Sequence, residues 1–230
     1  MIDYDNAFFI DKAGLALILS QKGISTIHCL NIFGEDIEID DDEACLSLFS
    51  MVNEQLVESD EDGSFRLNSQ FESACKAIID AKKIIAVYSN DKNSGSLVVY
   101  KNDGGATAVM QAENRRDCLK VFEIKAEELQ KHIASCIEQC GRRNSRGEDK
   151  TLFVESLEFF GLEDDFEQII VNPQTAVFVE VFDIALQRPW KKLAVITEAG
   201  KQWLCRWQGE EYSFEEYNAQ TDLSLDALCG

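Results

Sequence analysis

Residues 84–140 read IIAVYSN (84–90), SLVVYK (96–101), ATAVMQA (106–112), CLKVFEI (118–124) and AEELQKHIASCIEQC (126–140). Four short β-rich runs are followed by one helical run. Residues 176–229 repeat the order with AVFVEVFDIA (176–185), KKLAVITE (191–198), QWLCRWQ (202–208), EEYSFEEY (210–217) and TDLSLDALC (221–229). The match is one of pattern and not of identity. It predicts two pseudo-repeated β4α units, side by side around a pseudo-twofold axis, that build a broad antiparallel sheet. The clusters NDKNSG and KNDGG separate the runs as hairpin turns do. IIAVY and LVVY are nearly continuous apolar runs, so their strands are expected to be central and covered on both faces.

Upstream of this core, residues 1–82 have a different character. Residues 11–22 read as a helix, and Ile24–Phe33 as a strand or a second helix. Asp40, Asp41 and Asp42 precede an apolar-periodic run of Cys45, Leu48, Phe49, Val52 and Leu56, which predicts a helix from about 42 to 56 with its acidic start facing the positive end of the macrodipole. An Asp-Gly turn within LVESDEDGSFRL predicts a hairpin. Ser69 then caps a helix over 70–82 that places Phe71, Cys75, Ile78 and Ile79 on one face. Helix, hairpin, helix is a winged-helix-like order. DNA binding is not expected from it, because the turn carries three acids and the preceding helix has no basic residue.

The predicted class is therefore α+β: a helical, winged-helix-like segment (1–82), a first β4α unit (83–140), a linker (141–150), and a helix plus second β4α unit (151–230), with 83–230 forming one sheet core. In the linker, GRRNSRGEDK, Arg142, Arg143, Arg146 and Lys150 form a basic island that reads as a solvated loop. Helical patterning resumes at Thr151 with Leu152, Leu157, Phe160 and Phe166. Of the two prolines, Pro173 ends that helix, and Pro189 in LQRPWKK sits in the predicted hairpin turn between the first two strands of the second unit.

Charge narrows the partners. With 22 basic and 42 acidic side chains the net charge is −20. So acidic a chain repels phosphate backbones and favours basic or apolar partners. The opening residues, MIDYDNAFFIDKAGLALILS, lack the basic start of a signal peptide, and no apolar run is long enough to insert into a membrane. A cytoplasmic location is expected. The eight cysteines include no CxxC pair and fit reduced, packed side chains.

No motif announces catalysis. P-loop, GxGxxG and GxSxG patterns are absent. His132, Cys136 and Cys140 fall at i, i+4 and i+8 of one predicted helix, a spacing that suits soft metal ligands. Leu129, Ile133 and Ile137 share or border that stripe, and the only other histidine is His28, so packing is the better reading; no metal and no cofactor are expected. Trp203, Cys205 and Trp207 alternate on one face of a strand. Together with Pro189 and Trp190, Trp203 and Trp207 are the candidate partner-binding residues, Trp190 being the best placed for an exposed anchor.

The segment ACLSLFSMVNEQLVESDEDGSFRLNSQFESACKAIIDAKKIIAVYSND (44–91) resembles the EspG-like chaperones of ESX (type VII) secretion systems. The shared order is a helix with a Leu-Val step, an acidic-Gly turn, a short strand, a helix and the first sheet strand. The resemblance extends as a pattern over residues 40–229. It implies a cytosolic, non-enzymatic chaperone or adaptor that binds a helical secreted substrate. One departure is that this chain's sheet loops, such as DKNSG, are short. A winged-helix-type regulator, or an enzyme built around His28 or His132, stands as the alternative.

Overall fold

Apolar runs become strands and acid-capped runs become helices in the computed structural model, which describes residues 7–21, 40–60, 64–89, 96–112, 118–142, 175–186, 188–198, 201–208, 211–218 and 223–229. The elements are β1 (Phe8–Asp11), α1 (Lys12–Gln21), α2 (Asp41–Asn53), β2 (Val57–Ser59), β3 (Phe65–Leu67), α3 (Ser69–Ile79), β4 (Lys83–Ser89), β5 (Leu97–Lys101), β6 (Ala106–Gln111), β7 (Cys118–Glu123), α4 (Ala126–Arg142), β8 (Thr175–Asp183), β9 (Arg188–Glu198), β10 (Lys201–Gln208), β11 (Glu211–Glu216) and α5 (Leu225–Cys229). Every strand pair whose register is described is antiparallel, which makes the protein α+β. The segment Ile24–Phe33, the helix expected from Thr151, the linker beyond Arg142, and His28 lie outside the described residues.

Two compact units divide the chain. The first comprises β1, α1, α2, β2, β3, α3 and β5–β7, and its sheet runs in the order β1-β7-β6-β5. Leu97 through Tyr100 are all buried, so β5 is covered on both faces, as its unbroken apolar run predicts. The β5–β6 turn is built by Asn102, whose Oδ1 accepts from the backbone N–H of Gly104 (2.8 Å) and Gly105 (2.9 Å). Lys82 pairs with Asp103 at the same turn and holds that carboxyl below its ordinary range.

Helix α3 begins one residue earlier than expected. Asn68, not Ser69, is the cap: its backbone is non-helical, with ψ 135°, and its Oδ1 accepts from the N–H of Gln70 at 2.9 Å. Ser69 is already helical, so it cannot cap. Phe71, Cys75 and Ile78 form the buried stripe against β5, β6 and β7. The fully buried Phe71 ring lies 5.2 Å from that of Phe8 in a tilted arrangement. Removing a side chain of that size from water stabilises the fold by roughly 1.5–3 kcal/mol.

Asp11 organises the N-terminal helices. Its Oδ1 accepts from the N–H of Gly14 (2.6 Å), which caps α1, and from the buried hydroxyl of Ser47 on α2 (2.7 Å). Glycine fits closely at 14, since a Cβ there would lie 3.1 Å from that same oxygen and 3.2 Å from Ile10 Cγ1, and those side chains would have to give by a few tenths of an ångström. Asp40 caps α2 by accepting from the N–H of Glu43 at 2.8 Å. The helix stops at Asn53, short of the expected Leu56, because Gln55 takes a positive φ of 58°.

The second unit contains β4 (all but its first two residues), α4, β8–β11 and α5, with strands in the order β4-β8-β9-β10-β11. Leu129, Ile133, Cys136 and Ile137 bury one face of α4 against β8 and β9. Two side chains tie helices to strands: Gln202 Nε2 donates to Ile137 O (3.5 Å) and Lys191 Nζ to Ala227 O (3.1 Å). The β8–β9 turn differs from the sequence expectation. Residues Ile184–Leu186 make the turn, with Asp183 Oδ1 accepting from the N–H of Ala185 (2.9 Å), so Pro189 and Trp190 belong to strand β9. Proline is tolerated in a strand near its start or at an irregularity, and Pro189 satisfies both conditions: it pairs with Phe182 directly after a register shift at Val181/Phe182.

Candidate protein-binding site

The four aromatic and proline positions singled out in the sequence fall on two neighbouring strands. Pro189 and Trp190 open β9, and Trp203 and Trp207 lie on β10. Register pairs Trp203 with Ile196 and Trp207 with Lys192, so strand alternation puts positions 190, 192, 196, 203, 205 and 207 on one face. The opposite face is the one that meets the helices, because it carries Lys191 and Gln202, which bond to α5 and α4.

Exposure on the aromatic face is graded. Ile196 and Cys205 are buried, whereas Trp190 and Trp203 are half-buried. Lys201 Nζ stands 5.9 Å from the centroid of the Trp203 ring, within cation–π range. Trp190 is less available than its place beside a proline suggests: it sits in the strand and its indole Nε1 is buried. Burial pushes the Cys205 thiol well above its ordinary range, which leaves it unreactive as a nucleophile.

One group on this face has no counterpart among the residues singled out from sequence. Glu180 on β8 pairs in register with Lys192 on β9, and their charged atoms lie 3.8 Å apart. Both side chains are nearly inaccessible, and desolvation raises the Glu180 carboxyl above its usual range against the opposing pull of Lys192. A glutamate in the middle of the apolar run AVFVEVF, answered by the lysine pair at 191–192, was the available signal. Neighbouring Phe178 stacks with Tyr88, ring centroids 5.5 Å apart.

Of the remaining candidates, His132 and Cys136 meet on α4. His132 Nε2 and Cys136 Sγ are 3.6 Å apart on α4, the i, i+4 contact their spacing predicts, with Cys136 inside the buried stripe. Among the described residues no group of three or more His, Cys, Asp or Glu side chains is placed to hold a metal ion. Among the same residues no helix is long and apolar enough to cross a membrane.

Neither a family model nor a curated protein matches the sequence. Structural comparison does find likeness: the Mycobacterium tuberculosis type VII secretion system chaperone EspG5, solved in complex with the PE25–PPE41 dimer, superposes with a TM-score of 0.58 over 94% of this chain and 92% of that one, at 10% sequence identity. At that identity the likeness is one of fold, and it establishes that this chain has a fold similar to that of EspG5.

Proposed function

We propose that the protein is a non-enzymatic protein-binding module, a cytoplasmic chaperone or adaptor that holds a helical secreted substrate of a type VII secretion system. The observation that carries this reading is the near full-length fold likeness to a chaperone solved with its bound dimer. Charge agrees with it: a chain of net −20 selects apolar or basic protein surfaces over nucleic acid. Chemistry agrees as well, since the thiol of Cys205 is held protonated by burial and Cys136 lies in the buried stripe of α4. Pro189, Trp190, Trp203 and Trp207 are the client-contacting positions in this proposal, with the half-buried rings of Trp190 and Trp203 as anchors that need only partial further desolvation on binding.

The test compares wild type with a Trp190→Ala/Trp203→Ala double variant, each tagged and isolated from its native cells, with the co-purifying proteins identified by mass spectrometry. A small helical secreted protein recovered with wild type and depleted at least tenfold with the variant is the expected result, corresponding to about 1.4 kcal/mol or more of binding free energy. Equal recovery by both would remove the aromatic positions from the interface, and recovery of no partner by either would remove the chaperone reading.

A further inference from the structure

Helix α2 carries its apolar residues on the outside. Leu46 and Phe49 are 69% and 70% exposed, Val52 is 40% exposed, and Cys45 is also exposed. The inward face is instead Ser47 and Met51. This orientation is favoured, because turning the helix to bury Phe49 would withdraw the buried Ser47 hydroxyl from the half-buried Asp11 Oδ1 and cost both groups that hydrogen bond. Single exposed apolar residues are ordinary on protein surfaces; a ridge of them at i, i+4 and i+7 on one helix, held out by a buried polar tie, marks an interaction surface.

We infer that this ridge is a docking site for an amphipathic helix whose apolar stripe is flanked by Lys or Arg. Two observations select that occupant. The ridge from Cys45 to Val52 spans two helical turns, about 10 Å at 1.5 Å per residue, and interdigitating ridges of this kind match a second helix. The charged residues of α2 are all acidic: Asp41, Asp42 and Glu43 fill its exposed first turn at one end of the ridge, and the helix contains no basic residue. Those charges complement a basic helix and oppose both an anionic lipid surface and a second copy of this acidic chain. The site lies in the first unit, on residues separate from the tryptophan positions of the second, so it stands whether or not the client proves to be a secretion substrate.

Cys45 makes the surface readable. The probe is a synthetic helical peptide of about 18 residues with a leucine stripe and lysine flanks, compared with the same stripe flanked by glutamate. Its affinity is measured by fluorescence anisotropy, and Cys45 alkylation is followed by peptide mapping. We expect micromolar binding of the lysine peptide, about tenfold weaker binding of the glutamate peptide, and roughly tenfold slower alkylation of Cys45 in the complex. A Leu46→Ser/Phe49→Ser variant should keep its fold and lose at least about tenfold in affinity. Binding that survives that variant overturns the inference, as does unprotected Cys45 in wild type, a readout that needs no variant to fold. Protection of Cys45 that rises with protein concentration alone would assign the ridge to a second copy. Protection by phosphatidylserine vesicles, without protection by the peptide, would assign it to a membrane. Either of these results also overturns the inference.

Discussion

Helix α2 and the β8–β10 sheet treat polar and apolar side chains in opposite ways. On α2 a serine is buried and a phenylalanine, a leucine and a valine face water. On the sheet an ion pair is buried among apolar neighbours, with tryptophans left half-covered. In both places a specific polar contact, and not hydrophobicity alone, decides which side chain points where. On α2 the deciding contact is Ser47 to Asp11; on the sheet it is Glu180 to Lys192. The cost of burying these groups is offset only while both partners are present.

The largest effect is expected at the ion pair. Glu180→Leu removes the carboxylate that Lys192 pairs with across the strands and should destabilise the protein by about 3 kcal/mol, measured by urea unfolding. Combining it with Lys192→Met should restore most of that loss; a double variant no more stable than the single one would break the comparison on the sheet side. The pair also has a pH signature. The folded Glu180 carboxyl is raised above its unfolded value, so its contribution is fully present below the ordinary glutamate value of 4.5 and is lost as pH rises through the folded pKa. Glu180→Gln should remove that component from the stability–pH profile above 4.5.

Next in size is the tie on α2. Ser47→Ala deletes a hydrogen bond to a carboxylate and should cost about 1.5–3 kcal/mol. Thermal unfolding indistinguishable from wild type would mean that Asp11 does not orient the helix. A smaller change, in the opposite direction, is expected just past the helix end. Gln55 occupies the left-handed region at φ 58°, so Gln55→Gly should raise stability by roughly 0.5–1 kcal/mol. The smallest effect sharpens the comparison most. Leu46→Ser/Phe49→Ser should change stability by less than about 0.5 kcal/mol, because both side chains are already in water. A loss of 2 kcal/mol or more, as for a core pair, would show that the ridge is buried after all.

These cases also separate what could be read from the chain alone. Unbroken apolar runs such as Leu97–Tyr100 declared two-sided burial, because nothing in them can face water at low cost. Acidic residues at 40–43 declared a helix start, because capping is a local interaction. The facing of α2 was not legible: Cys45, Leu48, Phe49 and Val52 have helical periodicity, but the choice of inward face came from Asp11, 36 residues away from Ser47. LQRPWKK resembled a turn by its proline and lysines, yet the register shift at Val181/Phe182 lets β9 begin at Arg188. For the candidate site, sequence singles out Pro189, Trp190, Trp203 and Trp207 by residue type and passes over Glu180, whose meaning depends on a cross-strand partner.

The central claim is that this is a binding protein with a helical client, and the mass of the assembly isolated from its own cells tests it most directly. Light scattering on the gently purified, tagged protein should report a stoichiometric complex heavier than the 25.9 kDa chain, and the added mass should belong to a partner that is helical by circular dichroism. A monodisperse species at the mass of the chain alone, recovered under conditions that preserve complexes of micromolar affinity, would contradict the account.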